Sequence, residues 1–168
     1  MIVLIVGDFA VGKDTVADYF VELMDKNDFC VEKIKSYTTR EPRFTGEDTH
    51  IFCSKEEFLS FKDLVAKTKI DEQYYGTRAS QFNENKISFY CVDDKGVKDI
   101  ESSGIDDTFI VEVVRPKWLI NASDERLNRK RHYGKYKYNA DYRIINDGDL
   151  DKLKKSVFEC FTFMKNFL

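Results

Sequence analysis

The chain has 168 residues, of which 42% are hydrophobic and 34% are charged, and its formal net charge is −3. This length suits one domain with a hydrophobic core. The acidic balance argues against a general nucleic-acid-binding protein, because binding to a phosphate backbone requires a surplus of positive charge. No apolar run is long enough to span a membrane and the start lacks the basic segment of a signal peptide, so we expect a cytoplasmic protein.

The cysteines and histidines indicate neither disulfides nor a zinc site. No C-x-x-C pair occurs, and the positions of His50 and His132 do not match the spacing of metal ligands. We expect buried, reduced thiols, as in cytosolic proteins. The four cysteines are Cys30, Cys53, Cys91 and Cys160.

The first third of the chain predicts a strand, a loop, a helix and a second strand. Residues 2–6 are a continuous apolar, β-branched run, which is typical of a buried parallel strand. Residues 7–12 form a glycine-containing loop, and residues 14–27 place apolar side chains at helical spacing. A second strand is predicted at 29–35 and a polar loop at 37–49.

The middle of the chain predicts shorter elements. Residues 50–53 are extended, and Ser54 with Glu57 forms a capping box at the start of a helix that reaches about residue 64. Residues 67–75 predict a pair of strands.

The second half of the chain alternates strands with helices. Apolar strands are predicted at 87–92, 108–114 and 143–145. Helices are predicted at 95–102, from the cap Ser123 to about 133, and from the cap Asp149 to 163. This alternation predicts an α/β fold with a central parallel sheet between two helical layers.

The segment GDFAVGKDT, residues 7–15, resembles a phosphate-binding loop, or P-loop, of the form G-x-x-x-x-G-K-[ST]. It lies between a predicted strand and a predicted helix, where unpaired backbone N–H groups and the helix dipole favour phosphate. The alternative is a glycine turn before an acidic first helical turn. We predict that Lys13 is catalytic and that ATP contacts Gly7, Asp8, Ala10, Val11, Gly12, Lys13, Asp14 and Thr15.

Asp14 stands where the pattern requires a hydroxyl that binds Mg²⁺. A carboxylate is also a hard oxygen ligand, so we predict that Asp14 binds Mg²⁺ directly or through water. Thr15 does not simply replace it, because consecutive helical residues point about 100° apart. The alternative is that Asp14 only complements the helix dipole.

Two arginines, Arg40 and Arg43, lie three residues apart in the polar loop. Planar guanidinium groups suit a phosphate monoester, although loop arginines are usually solvated. They belong to a series of short motifs in a fixed order along the chain. These motifs are SYTTREPR at 36–43, THIF at 49–52, SKEEF at 54–58, YGT at 75–77, DDKGV at 93–97 and INDGDL at 145–150.

With this series the sequence resembles guanylate kinase, a nucleoside monophosphate kinase of the P-loop class. The resemblance implies a P-loop kinase fold with Mg²⁺ and ATP, and one domain over 1–168. Its core would comprise about 1–35, 80–115 and 140–168, its monophosphate-binding insert 36–79 and its short lid 116–139.

The resemblance also implies roles for individual residues. Arg40, Arg43 and Tyr75 would hold the monophosphate, with Arg40 also catalytic. His50 replaces a tyrosine that contacts the monophosphate, so it either binds as imidazolium or is structural. The remaining implied roles are the base or its surroundings for Ser36 and Thr77, the arginines or a metal-bound water for Asp93, and the adenine of ATP for Asn146.

The sequence departs from the family at the position that reads guanine. The family has a glutamate nine residues before the tyrosine of Y-G-[ST], and this chain has Ala66. A methyl group cannot accept hydrogen bonds from guanine, so the base is open. Lys67, Asp71 or Glu72 would be the alternatives for that contact.

The predicted lid is a second departure, because it is shorter than in the family. Its basic helix end either closes over the ATP phosphates or is a solvated face. We predict that Arg126 and Arg129 are catalytic, with further candidates at Lys130, Arg131 and Arg115.

The sequence therefore predicts ATP-dependent phosphorylation of a nucleoside or deoxynucleoside monophosphate. One alternative is a kinase for another phosphorylated metabolite, and another is a non-catalytic module that binds proteins. A GTPase is disfavoured, because no N-K-x-D motif occurs. We expect nucleotides as ligands, with neither nucleic acid nor a membrane as partner, and the oligomeric state is open.

Overall fold

The computed structural model describes residues 1–119, 134 and 136–168. The strands are β1 (Ile2–Val6), β2 (Val31–Ile34), β3 (Tyr37–Thr38), β4 (Ile51–Phe52), β5 (Leu64–Ile70), β6 (Gln73–Arg78), β7 (Ile87–Val92), β8 (Thr108–Val114) and β9 (Tyr142–Ile145). The helices are α1 (Lys13–Asp25), α2 (Lys55–Ser60), α3 (Asp94–Ser102) and α4 (Leu150–Met164).

A five-stranded parallel sheet forms the centre of the molecule, in the order β2-β7-β1-β8-β9. Strand β1 is central, and all five of its residues are buried. A strand covered on both faces must be apolar throughout, which explains the uninterrupted run at 2–6. The predicted α/β fold with a central parallel sheet is confirmed.

Two hydrophobic clusters cover the two faces of this sheet. Val3 and Ile5 point toward α1 and α4, whereas Leu4 and Val6 point toward α3 and β5. This division follows from the alternation of side chains along a strand. Phe20 of α1 is fully buried in the first cluster, a burial that contributes about 1.5–3 kcal/mol to folding.

A second sheet of four short strands has the order β4-β3-β6-β5. Strands β5 and β6 form a hairpin whose turn residues, Asp71 and Glu72, have φ angles of 46° and 69°. The pairing of β5 with β6 shifts register between Val65 and Thr68. This bulge redirects the side chains that follow Val65 and shapes the wall described below.

The helix that begins after Ser54 ends earlier than predicted. Its cap is as expected, because the Ser54 hydroxyl accepts a hydrogen bond from the Glu57 N–H at 3.0 Å. The helix nevertheless stops at Ser60 rather than near residue 64, and Phe61 is extended. Leu64 instead begins β5, where its pairing with Arg78 outweighs local helical preference.

Two further predictions concern the loop at 37–49 and the helix from Ser123 to about 133. The segment 37–49, predicted as a loop, begins with the short strand β3, which pairs with both β4 and β6. The helix predicted from Ser123 to about 133 lies outside the described residues.

The remaining expectations concern membrane-spanning helices and the state of the four cysteines. Among the described residues, no helix is long and apolar enough to cross a lipid bilayer. All four cysteines are free thiols, but only Cys160 is buried; Cys53 and Cys91 are half-buried and Cys30 is exposed.

Candidate phosphate-binding site

The P-loop connects β1 to α1 in a conformation that depends on its glycines. Gly12 has a φ angle of 99° and caps α1, and Ala10 also has a positive φ, 61°. The ammonium group of Lys13 donates hydrogen bonds to the carbonyl oxygens of Gly7 and Asp8, both at 2.9 Å. The lysine is thus folded across the mouth of its own loop, and burial lowers its pKa.

Asn146 supports the P-loop from the end of β9. Its side-chain amide donates to the carbonyl oxygen of Val11 at 2.8 Å. The same amide nitrogen lies 2.6 Å from where a Cβ of residue 12 would stand, so only glycine fits there. Val11 and Asn146 are both buried, and neither lines the cavity beside the loop.

A cavity of about 420 Å³ lies between the P-loop and the four-stranded sheet. This volume falls within the ordinary range for small-molecule sites, about 300–1,000 Å³. Most of the predicted site residues meet there, including Asp8, Arg43 and Tyr75. The others are Gly7, Ala10, Gly12, Lys13, Asp14, Thr15, Ser36, His50 and Asp93.

Part of the cavity wall was not predicted from the sequence. Phe9 of the P-loop belongs to it, as does Thr49. The rest comes from β2, β5 and β7 and their ends. Those residues are Lys33, Ile34, Thr68, Ile70, Tyr90, Cys91 and Val92, besides Ala66. The tendency of ligands to bind beyond the carboxyl ends of parallel strands is the signal that points to β2 and β7.

The structure does not place Arg40 on the cavity wall. Its guanidinium group donates two hydrogen bonds to the carboxylate of Glu47, at 3.0 and 2.8 Å. It also lies over the ring of Phe52, 5.2 Å from the centroid. Only 11% of the Arg40 side chain is exposed, and its guanidinium group also donates to the carbonyl oxygen of Glu41 at 2.8 Å.

Glu47 binds several groups of the loop that carries both arginines. Besides Arg40, its carboxylate accepts hydrogen bonds from the Arg43 N–H at 2.6 Å and the Thr49 hydroxyl at 2.7 Å. These donors, above all Arg40, hold the pKa of Glu47 well below its usual range. A buried carboxylate needs such partners, since it would otherwise be protonated.

Thr77 also lies off the wall. It is fully buried, and its hydroxyl donates to the side-chain carbonyl of Gln81 at 2.6 Å. Gln81 in turn donates to the Lys35 carbonyl at 3.1 Å. These two hydrogen bonds link Thr77 of β6, through Gln81, to the backbone just after β2.

Asp14 lies in the first turn of α1 and is 79% exposed. Lys33 of β2 approaches it at 3.5 Å and bonds Asp18 at 2.7 Å. The described residues contain no group of three or more His, Cys, Asp or Glu side chains that could hold a metal ion. A lone carboxylate still fits Mg²⁺, which usually takes one or two carboxylates together with substrate phosphates.

Asp93 joins the wall to α3. Its carboxylate caps the helix by accepting from the Gly96 N–H at 2.7 Å, and it accepts from the Thr68 hydroxyl at 3.1 Å. Asp93 is thus held in place by contacts with both Gly96 and Thr68. The neighbouring thiol of Cys91 stays protonated, because burial raises its pKa to about 12.

Neither a protein-family model nor a curated protein matches the sequence. Among solved structures, the guanylate kinase from Anaplasma phagocytophilum is similar over 99% of this chain and 85% of its own, with a TM-score of 0.65 and 16% identity. The chain has a guanylate-kinase-like fold.

In this guanylate-kinase-like chain, Ala66 lines the cavity with its methyl group. It is buried and has a φ angle of 52° within the β5 bulge. None of the three alternatives for a base contact lines the cavity. Asp71 and Glu72 are exposed at the hairpin turn, and the Lys67 ammonium lies over the Tyr74 ring, 5.5 Å from its centroid.

The basic candidates in the predicted lid of the guanylate-kinase-like chain are not placed. Arg126, Arg129, Lys130 and Arg131 lie outside the described residues. Arg115 is described, is not on the cavity wall, and donates to the carbonyl oxygen of Leu119 at 3.2 Å.

Proposed function

We propose that the chain is a kinase that transfers the terminal phosphate of ATP to a nucleoside or deoxynucleoside monophosphate. One observation carries this proposal: a single cavity is lined by the P-loop on one side and by Arg43, His50 and Tyr75 on the other. A loop suited to a polyphosphate therefore faces a group of side chains suited to a monophosphate.

Such a transfer needs little covalent chemistry from the protein. The acceptor oxygen is already anionic, so no general base is required. The protein would align the two phosphates and offset their mutual repulsion. Lys13 would leave the carbonyl oxygens of Gly7 and Asp8 and bind the transferring phosphate, where an anion restores the charge that burial disfavours.

The predicted roles of the other site residues become proposals of two kinds. Ser36 and Asp93 line the cavity and would contact the acceptor nucleotide or its surroundings. Arg40, Thr77 and Asn146 would act through their neighbours, by holding Glu47, Gln81 and the Val11 carbonyl respectively. The division into core, insert and lid, the catalytic role of Arg126 and Arg129, and the cytoplasmic location stay predictions.

Mg²⁺ is the metal that this site would take. Asp14 would hold it, directly or through water, at the exposed start of α1. Bound to ATP, it would neutralise charge on the phosphates. Asp93 would act through water, because its carboxylate already accepts from Thr68 and Gly96.

Two alternatives stay open for the same fold. A kinase for another phosphorylated metabolite would also need the P-loop, and Ala66 keeps that possibility. A protein-binding module without catalysis would not need Lys13 or the glycines of the loop, all of which are present.

A coupled assay of ADP release separates these functions. The full chain is given Mg-ATP with each common nucleoside and deoxynucleoside monophosphate in turn. We expect turnover with at least one nucleotide, its loss in Lys13→Met, and normal rates in the matched control Lys26→Met, whose lysine is exposed at the other end of α1. Failure of every nucleotide would overturn the proposal and leave a different phosphate acceptor or a protein-binding module.

A further inference from the structure

His50 is held in one tautomer by its own backbone. Its Nδ1 lies 2.6 Å from the carbonyl oxygen of Thr49. A carbonyl oxygen only accepts, so Nδ1 must carry the hydrogen. In the neutral ring, Nε2 therefore carries no hydrogen and presents a lone pair. Within residues 1–119, 134 and 136–168, no hydrogen bond to Nε2 is found.

The ring lies on the wall where the acceptor phosphate would bind. It lines the same cavity as Arg43 and makes an edge-on contact with Tyr75, with 5.8 Å between the ring centroids. Thr49, which orients Nδ1, is itself bound through its hydroxyl to Glu47 at 2.7 Å. The loop that positions Arg43 thus also fixes which nitrogen of His50 carries the hydrogen.

The surroundings keep the ring neutral before an anion arrives. Burial lowers the pKa of His50 most strongly, and the charge of Arg40 lowers it further. The carboxylates of Asp14 and Glu47 and the hydrogen bond to Thr49 act in the opposite direction without cancelling these effects. Arg43 and the phenol of Tyr75 are the other titratable groups of that wall.

We propose that binding of the acceptor phosphate is coupled to uptake of one proton at Nε2 of His50. A neutral ring would turn a lone pair toward the phosphate oxygens, whereas an imidazolium would donate a hydrogen bond to them. The proton comes from solvent, one N–H bond forms, and no bond of the nucleotide changes. This inference rests on the proposed function, because it needs a phosphate on this wall.

The coupling has a definite direction with pH. Below the pKa of the free ring, His50 is already charged and binding is strongest. Between the pKa values of the free and bound forms, affinity falls about tenfold for each pH unit. Above the bound value the ring stays neutral and adds nothing, so acceptor affinity decreases as pH rises.

Enzyme kinetics tests this coupling. The KM of the acceptor nucleotide with the highest turnover is measured at saturating Mg-ATP from pH 6 to 8.5, in the full chain and in His50→Gln. The ratio of the two KM values cancels the ionisation of the nucleotide itself. We expect His50→Gln to have a KM about tenfold higher at pH 6 and a ratio near one at high pH. A ratio that does not change with pH overturns the inference.

Nuclear magnetic resonance provides a test that needs no variant of His50. The chain has two histidines, so the control His132→Gln leaves one imidazole to observe. We expect a neutral ring with its hydrogen on Nδ1 at pH 7 and a doubly protonated ring in the complex with that nucleotide. A hydrogen on Nε2 in the free chain, or a neutral ring in the complex, contradicts the proposal. Absence of any turnover by the unaltered chain would instead remove the acceptor nucleotide, and this inference with it.

Discussion

The guanidinium group of Arg40 and the carboxylate of Glu47 form a two-pronged hydrogen-bonded pair, with N–O distances of 3.0 and 2.8 Å, beside rather than inside the cavity next to the P-loop. The pair fixes the loop from which Arg43 projects, because Glu47 also binds the Arg43 N–H. Of the two arginines, only Arg43 lines the cavity.

We expect Glu47→Gln to lower the melting temperature at pH 7, because one amide oxygen cannot accept the four hydrogen bonds that the carboxylate accepts from Arg40, Arg43 and Thr49. The pKa of Glu47 is depressed in the folded chain, so its stabilising charge is fully present above the unfolded-state pKa of about 4.3 and is lost as pH falls. Thermal unfolding at pH 7 and pH 3 should therefore give a smaller difference between variant and parent at pH 3.

The matched control for this prediction is Asp48→Asn. Asp48 is the next carboxylate along the chain, is 85% exposed and, in the part of the chain that the structure describes, pairs with Lys35 at 3.1 Å. Exposed pairs of this kind contribute little. Equal effects of the two substitutions would mean that Glu47 does not organise the loop.

Removal of the Arg43 guanidinium should weaken acceptor binding specifically. Hydrogen bonds to charged groups are worth about 1.5–3 kcal/mol, so Arg43→Met should raise the acceptor KM about 10- to 100-fold. The KM for ATP should stay within a factor of about two, because the P-loop lies across the cavity. Steady-state kinetics with each substrate varied in turn measures both values, and an equal rise in both would argue against a monophosphate site at Arg43.

Asp14 of the P-loop should set the Mg²⁺ concentration that activity requires. We expect Asp14→Asn to need about tenfold more Mg²⁺ for half-maximal activity, because an amide oxygen is a weaker ligand than a carboxylate. Asp18→Asn is the matched control, since Asp18 also binds Lys33 but does not line the cavity. A Mg²⁺ titration of ATP affinity by calorimetry checks the same point without turnover. Unchanged curves for Asp14→Asn would reduce the residue to a partner of the helix dipole.

A carboxylate at residue 66 should change the preference for the base. Ala66 presents a methyl group to the cavity. None of Lys67, Asp71 and Glu72 lines the cavity, so none of them takes the place of a glutamate at this wall. We expect Ala66→Glu to raise kcat/KM for GMP or dGMP about tenfold relative to the other nucleotides. Ala66→Gln has nearly the same size without the charge and should do less. If the two variants give the same ranking of bases, the wall at residue 66 does not read the base.

The strand, loop and helix of the P-loop were predictable because their signals are local. A continuous apolar run specifies a strand buried on both faces, and apolar spacing specifies the inner face of α1. Gly12 and Lys13 follow directly in sequence, so their neighbourhood is set by a few residues. The capping of α2 by Ser54 is local in the same sense, and it is present as predicted.

The placement of Arg40, Thr77 and the end of α2 depended on specific side-chain and strand pairings rather than on periodic patterns. Glu47, seven residues beyond Arg40, accepts hydrogen bonds from its guanidinium group, and Thr77 donates to Gln81, four residues further along the chain. Pairing of Leu64 with Arg78 likewise ended α2 before the predicted residue. No periodicity of the sequence carries that information.

By itself the sequence determined the strands of the central sheet, the described helices and the composition of the P-loop, because backbone conformation and side-chain periodicity act over a few residues. Only the tertiary structure decided which residues share the cavity. It brings His50 and Tyr75 to the same cavity as Lys13, and β2 and β7 also contribute lining residues. Arg40 instead pairs with Glu47 and does not line the cavity. The reason is that the cavity forms between segments far apart in the chain, and that a specific hydrogen-bond partner such as Glu47 can hold a nearby guanidinium group beside the cavity.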